Sequence, residues 1–384
     1  MRRQRDIKLK DFSDIPELPD ECFDENMPKK QKFAVLSLNP GIDRALYLPS
    51  PLAEGSLNRA ARSVTTQGSK GANVAIMLHR LGCDVEYYTF GGGEFGDLAN
   101  SFLTREGIKV NSVETLCGVR LNTKVIDSNC TCTELNERGG VFIPTEVAAL
   151  TELFLSTDAD VLCLCGSIPQ GVEKDVYKVF TEFGKSIGKK VVLDCDGDAL
   201  RHGLEAKPDI IKPNEYELQN LGLSTGLFGE FSTDPEDRLR DITEACVKVA
   251  KEYSVTVICT RGADGSVHVN DRGEVIFRES MKVRMIGFSG AGDTFLSGYI
   301  AARFDKGFTE EYALICATAA GAMKVVLEGS ELPEASDIDE AVDDIIRPKN
   351  KVYKNIPIEQ PILEGIEPWN IKKICHSETK NNRR

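Results

Sequence analysis

The chain has 384 residues, and its 60 acidic side chains outnumber 47 basic ones, for a formal net charge of −13. That excess argues against a protein that grips nucleic acid chiefly through its phosphates. With 41% hydrophobic and 28% charged residues the composition is that of a folded chain, which excludes wholesale disorder, and length alone predicts two or three domains.

The first residues, Met1-Arg2-Arg3-Gln4-Arg5-Asp6, lead into no apolar signal segment, and no apolar run approaches the ~18 residues of a membrane span. The expectation is a cytoplasmic protein with no membrane partner, its 12 cysteines reduced. Cys130/Cys132 and Cys163/Cys165 are each one residue apart, so on strands each pair shares a face; neither pair has zinc-site spacing. They read as small buried apolar side chains.

Residues 1–32 are polar, Pro-punctuated and aperiodic, and read as a mobile extension. Next come short apolar runs that are nearly continuous, the pattern of strands buried on both faces: Phe33–Leu38, Val85–Phe90, Val161–Cys165, Lys190–Asp194, Ile210–Ile211 and Val255–Thr260. Helical spacing alternates with them at Asn73–Leu81, Thr145–Leu155, Glu173–Ile187, Glu236–Glu252, Asp293–Arg303 and Thr309–Val326. Strand and helix in alternation predict an α/β fold, a mostly parallel sheet covered by helices on both faces. Two segments, 45–66 and 116–142, break the rhythm and read as a small separate sheet. The stretch 334–384, with its single Trp369, reads as a C-terminal extension.

In such a sheet ligands sit outside the carboxyl ends of the strands, so chemistry is sought in the loops there. Gly290-Ala291-Gly292-Asp293 stands at the start of a helix, where amides and helix dipole favour a phosphoryl oxygen and Asp293 can take a proton from a hydroxyl; a glycine turn capped by an acid is the plain alternative. Gly68-Ser69-Lys70-Gly71-Ala72-Asn73 offers close backbone approach, a cation and an amide, or else a capped turn, and is not a Walker A loop. Gly91-Gly92-Gly93-Glu94-Phe95-Gly96 fits GxGxxG and generates a rival reading, an NAD-binding oxidoreductase. Asn214 and Glu217 lie three residues apart, oxygen ligands suited to hydrated Mg²⁺, or a plain helix cap. Thr260, Gly262 and Gly265 end a strand in a turn fit for phosphate or for a hairpin. His79, His202, His268 and His376 share no metal spacing.

Taken in order, Asn39-Pro40-Gly41-Ile42-Asp43, Gly68–Asn73, Cys165-Gly166-Ser167-Ile168-Pro169-Gln170-Gly171-Val172, Lys212-Pro213-Asn214-Glu215-Tyr216-Glu217 and Gly290–Asp293 resemble the PfkB (ribokinase-like) carbohydrate kinase family from about residue 33 to 333. The Asn39–Asp43 opening and Arg120-Leu121-Asn122 resemble its sugar-phosphate branch, which includes 1-phosphofructokinases and tagatose-6-phosphate kinases. The resemblance implies one kinase domain, 33–333, whose segments 45–66 and 116–142 form a β-sheet lid that often pairs subunits into a homodimer. It implies ATP and Mg²⁺ as cofactors, and as substrate a ketohexose monophosphate, with fructose 1-phosphate first. It implies Asp293 as base with Gly290, Ala291 and Gly292 as anion hole. Asp43, Gly68, Lys70, Gly71, Asn73 and Asn122 would hold the sugar, and Arg120 and Ser167 its phosphate. Lys212, Asn214, Glu217, Thr260, Gly262 and Gly265 would meet the nucleotide, with Asn214 and Glu217 organising the metal indirectly. A kinase of tagatose 6-phosphate or of an unphosphorylated sugar, and a non-catalytic sugar-binding regulator, are the remaining alternatives. Ser69, Gly287 and the acidic Asp194-Cys195-Asp196-Gly197 depart from the family pattern, and Ser69 is tolerable only with a negative φ.

Overall fold

Phe33–Ser37 (β1) is apolar on both sides, and its alternation divides the molecule: Phe33 and Val35 enter one core, Ala34 and Leu36 the other. The computed structural model describes residues 20–129, 131–287 and 289–346. In chain order the next strands are β2 (Gly41–Tyr47), β3 (Arg62–Gln67), β4 (Val85–Gly91), β5 (Lys109–Glu114), β6 (Arg120–Ile126) and β7 (Cys132–Asn136). They are followed by β8 (Val161–Cys165), β9 (Lys190–Asp194), β10 (Ile210–Ile211), β11 (Thr256–Thr260), β12 (Ser266–Val269) and β13 (Val275–Arg278).

Nine of them form one sheet in the order β13-β12-β11-β10-β9-β8-β1-β4-β5, parallel from β11 to β5 and antiparallel at the β12/β13 edge. On one face lie α1 (Lys70–Arg80), α2 (Gly93–Glu106), α8 (Ala291–Ile300), α9 (Glu310–Val325) and α10 (Ala335–Ile346). On the other lie α3 (Pro144–Leu155), α4 (Val176–Ser186), α5 (Gly197–Glu205), α6 (Glu215–Thr225) and α7 (Pro235–Tyr253). Cys163 and Cys165 share one core, as the strand period requires, and are fully buried. Strands β5 and β13 escape the apolar pattern because they are edge strands with half-exposed faces.

The second sheet has the order β3-β2-β6-β7, and β2 runs parallel to β6 with Gly41, Asp43 and Ala45 opposite Arg120, Asn122 and Lys124. It begins earlier than the expected segment 45–66, so Asp43 stands on the small sheet itself.

The described parts of the two flanks, residues 20–32 and 334–346, adjoin the body. Residues 1–19 and 347–384, Trp369 included, lie outside the described residues, but what adjoins the body packs on it. Phe23 packs on Phe308 with ring centres 5.0 Å apart and planes tilted by 54°, and α10 buries Ile338, Ala341 and Val342 against α9. Both segments carry apolar side chains that the core completes. Among the described residues no helix is long and apolar enough to cross a membrane.

Candidate active site

The carboxyl ends of β1, β8, β9, β10 and β11 deliver Asn39, Ser167, Asp194, Lys212 and Thr260, and α8 begins facing them. Gly290 caps α8 with φ 84°, a left-handed conformation that glycine adopts without strain. One turn on, Asp293 is buried and accepts a 2.8 Å hydrogen bond from Asn73 Nδ2 on α1. Gln67 Nε2 donates to Asn73 Oδ1 at 3.1 Å and so fixes which end of the amide faces the carboxylate. Burial and then the charge of Asp194 push the Asp293 pKa up, against the opposing pull of Lys70, Asn73 and Lys212. The arrangement sets a buried carboxylate in the first turn of α8, beside the Gly290 cap.

A chain of charge crosses the floor. Lys70 lies 3.3 Å from Asp194 and 3.6 Å from Glu217, and Lys212 lies 3.5 Å from Asp194. Burial opposes the charge of Lys70, but Asp194, Glu217, Asp293 and Asp196 outweigh it and hold the ammonium well above its ordinary pKa. Asp194 is buried too, yet Lys212 and Lys70 hold its carboxyl below the usual range. Lys70 is thus set between Asp194 and Glu217 rather than among the Asp43 contacts.

On the small sheet, Asp43 accepts from Asn122 Nδ2 at 2.9 Å and from Lys124 Nζ and Ser330 Oγ at 3.1 Å each. Asn122 Oδ1 is buried with no hydrogen-bond partner among the described residues, and Arg120 Nε is likewise orphaned. Burial depresses the Arg120 pKa, partly offset by Asp43. Asn39 Nδ2 donates to Ser167 Oγ at 3.0 Å, and Asn39 and Arg120 both line the space over Gly139. A half-buried guanidinium with an unpartnered Nε is suited to receive a phosphate or carboxylate.

Two glycines of the 68–73 loop are there for packing. A Cβ at Gly68 would collide with Asp43, and one at Gly71 would stand 2.7 Å from Ser37 Cβ on β1. Ser69 has φ −132° and caps α1 by accepting from Ala72 N, so serine fits where the family pattern has glycine.

Asn214 caps α6 by accepting from Tyr216 N and Glu217 N at 2.9 Å, while Glu217 Oε2 accepts from Asn214 N at 2.9 Å. A bridge to Thr260 brings the β11 loop alongside, where Gly262 and Gly265 have φ 56° and 89°.

Residues 36–336 match the pfkB family carbohydrate kinase. The chain belongs to the pfkB family. It is 30% identical over 301 residues to a 1-phosphofructokinase of Haloferax volcanii, covering 78% of this chain and 93% of that one. Phosphofructokinase-2 from Escherichia coli, solved in complex with substrates and products, superposes with a TM-score of 0.75 at 23% identity, covering 83% of this chain and 100% of that one. A ribokinase from Thermotoga maritima superposes with a TM-score of 0.65 at 23% identity, covering 82% and 99%. The fold is ribokinase-like, and as a member of this family the protein is an ATP-dependent sugar kinase.

The pfkB assignment overturns the oxidoreductase alternative, and the Gly91–Gly96 loop has a local explanation. Space over Gly92 is taken by Thr115 and Cys117, and Val119 N donates to Gly92 O at 3.2 Å, so the glycine admits protein where a dinucleotide phosphate would have to approach. Sequence reasoning passed over Gln67, Lys124 and Ser330, and gave Asn39 a place in a motif but no role. Lys124 had a usable signal, since Arg120, Asn122 and Lys124 alternate along one strand face.

Proposed function

We propose that this pfkB kinase transfers the γ-phosphoryl group of ATP to a free hydroxyl of a ketohexose monophosphate, fructose 1-phosphate first, yielding fructose 1,6-bisphosphate and ADP. The observation that carries the reading is the buried Asp293 carboxylate, held by Asn73 beside the Gly290–Gly292 turn. Asp293 accepts the hydroxyl proton, the alkoxide oxygen forms a bond to the γ-phosphorus, and the bond to the β-phosphate oxygen breaks. Amides of Gly290, Ala291 and Gly292 face the charge that grows on the transferring group.

Support for a sugar phosphate comes from Arg120, with its unpartnered Nε, from Asn39, which lines the space over Gly139 with it and bonds Ser167, and from relatives named 1-phosphofructokinase. Asn122 Oδ1 is free to accept from a sugar hydroxyl, and Asp43 is held ready by three donors. Lys70, Lys212, Thr260, Gly262 and Gly265 lie on the nucleotide side. The donor set fits Mg²⁺ only through water. Asn214 Oδ1 and Glu217 Oε2 are occupied by the helix cap, which leaves Glu217 Oε1, 3.6 Å from Lys70 Nζ, as the oxygen that could reach a hydrated ion. When bound with the nucleotide, Mg²⁺ supplies charge neutralisation at the phosphates. The small sheet acts as the lid, and its edge strand β7, with Leu135 exposed, is where a second copy would pair. Sedimentation of the wild type against Leu135→Glu tests that pairing: a wild type that sediments as a monomer contradicts it.

The test is an ADP-release screen with Mg-ATP across sugars and sugar phosphates. Turnover of fructose 1-phosphate supports the reading. Preference for tagatose 6-phosphate or a free sugar moves the substrate within the family, and sugar binding without ADP release would make the protein a regulator.

A further inference from the structure

Lys324, near the end of α9, is fully buried, and among the described residues no carboxylate pairs with it directly. Its ammonium donates to Gly329 O at 3.0 Å. Its stem lies under the catalytic turn: a Cβ built at Gly290 would stand 3.5 Å from Lys324 Cε. Gly329 is followed by Ser330, whose hydroxyl donates to Asp43. One buried cation therefore touches the loop that carries the anion hole and the loop that steadies the sugar-side carboxylate.

Stability does not account for that charge. An ammonium taken out of water without a counter-charge destabilises the fold, whereas a methionine of similar shape would fill the same space. We propose that Lys324 is a positioning residue for phosphoryl transfer, a tethered cation that keeps the Gly290–Gly292 turn in register with the Gly329–Ser330 loop and adds positive field beneath the anion hole. The inference rests on the kinase reading above. Burial lowers the Lys324 pKa to about 8; the charged groups that face it are Glu331 beyond the Gly329 loop, Lys124 on β6 and Asp293 on α8.

The test compares wild type and Lys324→Met by ADP release with the best acceptor. Loss of about tenfold or more in kcat, with the KM for ATP nearly unchanged and a melting temperature equal to or above wild type, is expected. A merely structural lysine would instead give a lower melting temperature and an unaltered kcat. Wild-type kcat should also fall as pH rises through about 8, a limb that Lys324→Met lacks. Wild-type kcat in the folded variant overturns the proposal, as does an alkaline limb that persists unchanged in Lys324→Met. If Lys324→Met does not fold, Lys324→Gln, which removes the charge but can still donate to Gly329 O, decides by the same readouts. A wild type that releases no ADP with any acceptor removes the parent reading and this one together.

Discussion

Asn73 donates its side-chain amide to Asp293 across the α1/α8 contact at 2.8 Å, joining the loop expected to hold sugar to the residue expected to take its proton. Gln67, the last residue of β3, holds the other end of that amide. The small sheet is therefore connected to Asp293 through two side chains. Asn73→Ala should lower kcat by roughly 10- to 100-fold, and Gln67→Ala should lower it less, because the first frees the carboxylate and the second frees only its holder. Steady-state kinetics on both variants checks this, and an Asn73→Ala enzyme as fast as wild type contradicts it.

The pH dependence of kcat follows from Asp293. Burial and Asp194 push its carboxyl above the ordinary 3.8, and only the deprotonated form takes a proton. Activity should fall as pH drops, with the acid limb centred above the usual aspartate value. An acid limb at or below 3.8 would remove Asp293 from that role.

Arg120 lacks a carboxylate partner among the described ion pairs, and its Nη1 only approaches Glu137 O at 3.5 Å. Arg120→Ala should raise the KM for the sugar phosphate about 10- to 100-fold while leaving the KM for ATP nearly unchanged. Arg120→Lys should recover only part, since a point charge cannot reproduce the planar fork. Equal KM values in wild type and Arg120→Ala would take the phosphate away from this side chain.

Stability in acid should depend on Glu86. Burial opposes its charge, but Lys32, Tyr88, Lys109 and Asn111 all bond to it and lower its pKa to about 2. A lowered folded-state pKa gives stability that is full above the ordinary 4.5 and lost as pH falls towards about 2. Glu86→Gln should cost roughly 1–3 kcal/mol at neutral pH and progressively less below pH 4, read from urea unfolding at several pH values. A difference that does not shrink in acid would contradict the assignment.

The interior strands were legible because they are buried on both faces: β8, β9 and β10 begin and end where continuous apolar runs do. The glycine-rich loops were legible as loops, but not why each glycine is needed. Gly68, Gly71 and Gly92 admit neighbouring protein atoms, a fact that only the packed structure contains. Asp293 and Asn73 stand in motifs, so they could be named; their contact spans 220 positions and could not. Lys324 was hidden for a simpler reason. It ends an apolar helix, where a lysine ordinarily reads as a solvated C-terminal charge, and tertiary packing instead encloses it.

The most direct measurement follows ³¹P resonances while the purified protein, Mg-ATP and fructose 1-phosphate react, alongside Asp293→Asn. The account predicts equimolar ADP and fructose 1,6-bisphosphate from wild type, and a rate lower by orders of magnitude in the folded variant with substrate binding little changed. No bisphosphate from wild type, or comparable rates in both proteins, would contradict it.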